Sequence, residues 1–228
     1  YGNGGYSNDT FQISAYAYSE SDAKNQPLQQ NLSEEQVAIL QAAGDDRTKM
    51  NAPSAVPDTF SENKILYRQE IIAGIEAFVF SDNPEDELFN VRFSFVGANN
   101  GNYIIQTENT ISRIFEFVPP VDGVPQGDYE PIIPLVAPTL LQVGGLYGQY
   151  RPSDKTQIGF ELSASRNDLN LFSDIDDNDN NGIAGRVTLN QTLARGDTTA
   201  TRLDGFANLN FLQEEYQSIE RLFNVEFT

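Results

Sequence analysis

The feature that most constrains the fold is an alternation of apolar and polar residues, which is most regular in the second half of the chain. Alternation with a period of two places successive side chains on opposite faces of a β-strand. Each run covers about ten residues, the length that a tilted strand needs to cross a bilayer. The alternating positions are Leu141, Val143, Gly145 and Tyr147; Ile158, Phe160, Leu162 and Ala164; Ile183, Gly185, Val187 and Leu189; Leu203, Gly205, Ala207, Leu209 and Phe211; and Ile219, Arg221, Phe223, Val225 and Phe227.

Polar residues occupy the other face of these runs, and an earlier run (Phe11, Ile13, Ala15 and Ala17) has the same pattern. The pattern predicts that one face contacts lipid or a sheet core, and that the other contacts water or a lumen. The first set includes Phe160, Leu162, Val187, Leu189, Leu209 and Phe211, and the second is Gln142, Glu161, Ser163, Arg186, Asn190, Arg202, Asp204, Asn208 and Asn210.

The predicted fold class is mainly β, with an antiparallel up-and-down meander that is a segment of an outer-membrane-type barrel or a curved sheet. Short connections at 151–154 and 194–197 alternate with a long acidic loop at 165–182, which is typical of up-and-down barrels. Soluble sandwiches also use such strands. Since the smallest membrane barrels need about eight strands, either a barrel continues outside this chain or the sheet is soluble.

One short inserted helix is predicted over about 34–43. Ser33-Glu34-Glu35-Gln36 is a capping box, in which the Ser33 hydroxyl accepts the Gln36 amide and the Gln36 side chain reaches back. Two acidic residues in the first turn suit the helix dipole, and Gly44 is placed to end the helix.

Two regions are predicted. Residues 1–130 form a β-rich region with the helical insertion and two similar hairpin units, and residues 131–228 form the regular meander. The two units read Phe-x-Phe-Val, a Gly/Pro-rich turn and Gly-polar-Tyr, at 93–103 and 115–129. Glycine suits turns that need a positive φ. Chance similarity is the alternative explanation.

Composition excludes several classes of function. The net charge of −19, from 33 acidic and 14 basic residues, repels phosphates, so we expect no nucleic-acid partner. Cysteine and histidine are absent, which removes thiol nucleophiles, disulfides, Ser-His-Asp triads and the usual zinc sites. No run approaches eighteen apolar residues, so no transmembrane helix is predicted. The chain begins at Tyr1 without a methionine, which predicts an internal piece of a longer protein.

The run at 174–182 is the candidate metal site. Its oxygen ligands and the glycine of the sharp turn fit the first half of a calcium loop, whereas Thr188 stands where the twelfth-position glutamate is expected. The alternative is a solvated hairpin tip. Calcium would be the only cofactor, bound weakly by Asp174, Asp176, Asp177, Asp179, Asn181 and the carbonyl of Ile183.

The segments at 18–30 and 167–173 and the two Gly-polar-Tyr units resemble very large outer-membrane proteins of Bacteroidota, including proteins similar to the type IX secretion translocon of gliding bacteria. The resemblance implies an envelope location, a long β-barrel with loop insertions, and no catalytic residues. It also implies a setting of secretion and gliding motility, although this chain is far shorter than a translocon.

The predicted function is therefore a non-catalytic, structural or transport-associated segment of an outer-membrane or cell-surface β-protein. Its partners would be other envelope proteins or the remainder of a larger β-barrel. The alternative is a soluble extracellular binding or adhesion module stiffened by calcium. An enzyme is the third hypothesis, because paired carboxylates can hydrolyse glycosides without histidine.

Overall fold

The protein, in a computed structural model that describes residues 1–23, 31–108, 113–196 and 201–219, is mainly β, as predicted. Its strand pairings are antiparallel, and the predicted helix is present as α1, Glu34–Ala43. A 3-10 turn follows at Arg47–Lys49. The strands are β1 Gly2–Ser7, β2 Phe11–Ser21, β3 Asn51–Pro53, β4 Val56–Asp58, β5 Leu66–Ile72, β6 Ile75–Ser81, β7 Leu88–Asn90, β8 Ser94–Phe95, β9 Tyr103–Glu108, β10 Arg113–Phe117, β11 Tyr129–Glu130, β12 Ile132–Pro134, β13 Leu140–Ser153, β14 Thr156–Asp168, β15 Asn181–Arg195 and β16 Arg202–Leu212.

The chain forms two compact units, one of residues 1–46 with 137–228 and one of residues 47–136. This division differs from the predicted boundary at residue 130. The physical reason is the pairing of β2 along its whole length with β13, which places the N-terminal hairpin in the sheet of the second half. The strand predicted at 219–227 lies almost wholly outside the described residues.

The first unit contains a six-stranded sheet in the order β1-β2-β13-β14-β15-β16. β13, β14, β15 and β16 pair in chain order, each with the next, so these four strands form the predicted up-and-down meander. β1 pairs with β2, and β2 joins this hairpin to the meander by pairing with β13. The segment of the chain between β2 and β13 contains α1 and the whole second unit. The capping box of α1 is formed as predicted, with both reciprocal bonds between Ser33 and Gln36. Among the described residues, no helix is long and apolar enough to cross a membrane.

The strand register confirms the predicted faces of β14, β15 and β16. One row across these strands joins Phe160, Val187 and Leu209, and the neighbouring residues on the opposite face are polar. We call the side of the sheet that carries Phe160, Val187 and Leu209 the apolar face, and the side that carries Glu161 and Arg186 the polar face.

The face predicted for β13 is wrong. Tyr147 pairs with Glu161 and Gly145 with Ser163, so the set Leu141, Val143, Gly145 and Tyr147 lies on the polar face. Both faces of β13 carry apolar and small residues, and its own pattern therefore cannot choose between them. The neighbouring strands decide, because Leu146 pairs with Ala15 on one side and Leu162 on the other.

The second unit contains the two similar segments, and neither closes into the predicted hairpin. Instead β8 of the first segment pairs with β11 of the second, and β10 of the second pairs with β9 of the first. The segments meet at Gly101 and Gly127, whose backbones exchange two hydrogen bonds of 2.9 and 2.7 Å. Tyr103 and Tyr129 pair beside them. The sheet order β10-β9-β11-β8 is therefore symmetric about its centre.

Equivalent rings of the two segments make equivalent contacts. The first phenylalanine of each segment stacks on the other, with the ring centroids of Phe93 and Phe115 4.5 Å apart. The edge-on pairs Phe95–Tyr129 and Tyr103–Phe117 have centroid distances of 5.5 and 5.4 Å. Such matched geometry is an internal pseudo-two-fold arrangement, and it favours a true repeat over chance similarity.

Replacing Gly101 with alanine should destabilise this unit by about 2 kcal/mol. A Cβ at Gly101 would overlap backbone atoms of Tyr129, and a backbone held in a paired sheet cannot move aside as a flexible side chain can. The matched control is Gly4→Ala, because nothing lies within 4 Å of a Cβ built there. Urea unfolding of both variants tests this, and equal midpoints would contradict the close approach.

Candidate functional site

The predicted calcium ligands divide between turn and strand. Asp174, Asp176, Asp177 and Asp179 lie in the turns that connect β14 to β15, whereas Asn181 and Ile183 belong to β15. Asn181 pairs with Arg166, and the Ile183 carbonyl accepts a hydrogen bond from the Gln213 amide at 3.0 Å. Within the described ranges, no group of three or more Asp, Glu, His or Cys side chains is placed to hold a metal ion. Calcium binding here stays a prediction.

The acidic region is larger than the sequence run suggested. Asp45 directly follows Gly44, the residue that ends α1, and it lies close to the acidic run at 174–182. Partial burial raises the pKa of the Asp45 carboxyl above the ordinary value. The negative charges of Asp168, Asp179, Asp176 and Asp177 raise this pKa further. A cavity of about 300 Å³ at this place is lined by Asp45, Asn167, Leu169, Asp179, Asn180, Glu214, Glu215 and Gln217.

Sequence reasoning missed Asp45, Asp168, Glu214 and Glu215. Asp45, Glu214 and Glu215 come from segments far from the run at 174–182, and Asp168 lies just outside it. Asp45 follows the predicted helix end, Asp168 ends β14, and the two glutamates follow β16. Only the pairing of β14, β15 and β16 brings these strand ends, and the acids beside them, together. We call this end of the sheet, with Asp45, Asp168, Asp179, Glu214 and Glu215, the acidic edge. The one available signal was that each acid lies within four residues of the end of a predicted element.

The segment 167–173 anchors α1 to this edge. The Asn170 side chain is fully buried, and its amide nitrogen donates to the carbonyls of Leu40 (2.7 Å) and Gly44 (2.6 Å). Ser173 Oγ donates to the Gln41 carbonyl at 2.8 Å. These donors satisfy carbonyl groups that the last turn of a helix leaves without intrahelical partners.

Replacing Asp45 with asparagine should stabilise the chain slightly at neutral pH, by a few tenths of a kcal/mol for a group that is largely solvated. The pKa of Asp45 is raised in the folded state, so the unfolded chain loses this proton first as the pH increases. Ionisation therefore penalises folding above the ordinary pKa of 3.8, and the penalty disappears below it. Thermal unfolding of both proteins at pH 3 and pH 7 tests this, and a gain that is the same at both values contradicts it.

The apolar face of the first unit is the second candidate functional surface. Its large side chains are exposed: Leu162 by 45%, Val187 by 45%, Leu189 by 38% and Leu209 by 66%. On β16 the face extends from Leu203 to Phe211, which is eight steps of about 3.3 Å, or about 26 Å along the strand. Exposed apolar surface of this kind is typical of sites that contact a partner or a membrane, so the apolar face is a candidate for such a contact.

Comparison with known proteins finds no match to the chain among protein-family models, curated proteins or solved structures. The resemblance to outer-membrane proteins of Bacteroidota therefore stays a prediction.

Proposed function

We propose that this chain is a non-catalytic structural segment of a bacterial outer-membrane or cell-surface β-protein. In this proposal the apolar face of the six-stranded sheet contacts lipid and the polar face contacts water. The observation that carries the proposal is the register of β14, β15 and β16, which collects the exposed side chains of Leu162, Val187 and Leu209 on one face. The other face is mostly polar, with Phe206 and Leu212 of β16 as its exposed apolar residues.

The dimensions of the apolar face support contact with a bilayer. A strand segment of about 26 Å, tilted by about 40°, spans about 20 Å along the membrane normal, close to the apolar band of about 25 Å on outer-membrane barrels. The opposite face pairs Glu161 with Arg186 and Gly159 with Thr188. An apolar outside and a polar inside are the pattern of barrels that enclose water.

The edge strands support a larger assembly. Among the described strands, β1 and β16 each pair with a single neighbour. Soluble proteins protect such edges with charged residues, proline or bulges. Gly2–Ser7 contains neither a charged residue nor proline. In Arg202–Leu212 the charged residues are Arg202 and Asp204, beside the register shift with β15, and the remainder of the strand has none of these features. Further strands of a larger β-barrel, or of another envelope protein, are therefore the proposed partners.

Single-cysteine labelling in lipid vesicles tests the proposal. The chain contains no cysteine, so each introduced thiol is the only one present. With a membrane-impermeant maleimide, Asn208→Cys and Arg186→Cys should react, whereas Leu189→Cys and Leu209→Cys should be protected. Equal reaction of both sets in vesicles would overturn lipid contact.

A soluble, calcium-stiffened extracellular module is the second candidate, and the acidic edge around Asp45 and Asp168 favours it. The two functions differ in their need for detergent. A lipid-contacting segment should aggregate when detergent is removed, whereas a module should stay monomeric. Calcium should raise the melting temperature of a module, and this increase should be lost in the Asp177→Ala, Asp179→Ala double variant.

A further inference from the structure

The polar face of the six-stranded sheet carries a cavity of about 460 Å³, which lies within the range of about 300–1,000 Å³ found for ligand pockets. Two tyrosine rings border it, Tyr16 from β2 and Tyr147 from β13. Tyr147 is 51% exposed, so its ring is available to a ligand. The cavity shares no lining residue with the cavity at the acidic edge.

One wall of this cavity is held in place by a chain of hydroxyl groups. The Tyr16 hydroxyl lies 3.1 Å from Ser163 Oγ, and Tyr216, which follows β16, donates to the same oxygen at 2.8 Å. The Tyr16 ring also lies directly over Gly145, where a Cβ would approach it to 2.8 Å. A ring that is fixed before binding loses little conformational entropy when a ligand arrives.

Three glutamine side chains form another part of the lining, namely Gln12, Gln149 and Gln157. The side-chain oxygen of Gln149 accepts from Gln157 at 3.0 Å and from Arg151 at 3.1 Å. The amide nitrogen of Gln149 has no hydrogen-bond partner among the described residues. The Gln12 and Glu161 side chains likewise have no hydrogen-bond partner in the part of the chain that the structure describes. The cavity therefore offers both donors and acceptors, and a ligand that carries both can satisfy them.

The charge of the cavity favours a neutral ligand. Glu161 and Arg186, direct partners in β14 and β15, are the two charged residues of the lining, so the lining has no net charge. The net charge of −19 further disfavours polyanions. An extended peptide is also a poor match, because it binds through backbone pairing at a sheet edge, whereas on the face of a sheet the backbone groups already pair with each other.

We propose that this cavity binds a short neutral saccharide. The apolar side of a sugar ring would pack on Tyr147, and its hydroxyl groups, each both donor and acceptor, would bond to the amides of Gln149 and Gln157. Aromatic surface together with a few placed polar groups is the usual composition of a small-molecule site.

Calorimetric titration of the full chain with maltohexaose, cellohexaose and xylohexaose tests the proposal. Any detergent used must lack a sugar headgroup, since such a headgroup would compete. We expect saturable binding of at least one of the three. Tyr147→Ala and Gln149→Ala should weaken it by about tenfold or more, and Tyr150→Ala should leave it unchanged. Tyr150 is the matched control, an exposed tyrosine of β13 on the apolar face.

Three outcomes would overturn the proposal: no binding of any of the three hexasaccharides, equal weakening by Tyr150→Ala, or tighter binding of an acidic oligogalacturonate. Tighter binding of a neutral Gly-Asn-Ser decapeptide at the same cavity would reassign the site to peptides. A circular dichroism spectrum of each variant that matches the parent shows that lost binding does not reflect unfolding.

Discussion

Replacing Asn170 with aspartate should destabilise the first unit by about 3–5 kcal/mol at neutral pH, the cost of a buried charge without a partner. The amide nitrogen of Asn170 donates to the carbonyls of Leu40 and Gly44, and the side chain has no exposed surface. A carboxylate in its place would turn both hydrogen bonds into contacts between oxygen atoms. It would also add negative charge at the negative end of the α1 dipole, near Asp45 and Asp168.

Two comparisons separate the causes of this loss. Asn178→Asp adds the same charge at an exposed position of the same loop, and it should change stability by less than about 0.5 kcal/mol. Asn170→Ala removes the donors without adding charge, and it should cost about 2–4 kcal/mol for two unsatisfied carbonyl groups. Urea unfolding followed by circular dichroism measures all three. If Asn170→Asp and Asn178→Asp unfold at the same urea concentration, the anchoring role of Asn170 is wrong.

Local signals predicted the elements well. The capping box at Ser33 predicted α1 to the residue, because it depends on four neighbouring residues and their own backbone groups. The alternation in β14, β15 and β16 predicted their faces, because in these strands most of the large apolar residues fall on one face.

Features that depend on pairing between distant segments could not be predicted from local sequence. The face of β13 needed the identity of its neighbours, since its own two faces are similar in polarity. The Gly-polar-Tyr repeat was visible in the sequence, yet its pairing is not local: Gly101 pairs with Gly127 rather than within its own segment. The acidic edge likewise forms only when β14 and β15 pair and bring Asp168 near Asp179. The sequence therefore did not predict those parts of the site geometry that depend on strand pairing.

Replacing Leu209 with arginine should destabilise the chain in lipid vesicles by about 2–4 kcal/mol, if the apolar face contacts lipid as proposed. Leu209 lies in the same row as Val187 and Phe160, near the middle of the length of their strands, and it is 66% exposed. An arginine there would place its charge where a bilayer has neither water nor counter-charge. The measurement is urea unfolding of the vesicle-bound chain, followed by circular dichroism because tryptophan is absent.

The adjacent residue Asn208 supplies the control. It is exposed on the polar face of the same strand, so Asn208→Arg adds the same side chain with the same strand propensity but directs it to water. Its effect in vesicles should be within about 0.5 kcal/mol of zero. Equal destabilisation by the two variants would mean that the faces of β16 have the same environment. If Leu209→Arg instead makes the chain more soluble without detergent and leaves its unfolding unchanged, the face contacts water, and the soluble module is the better description.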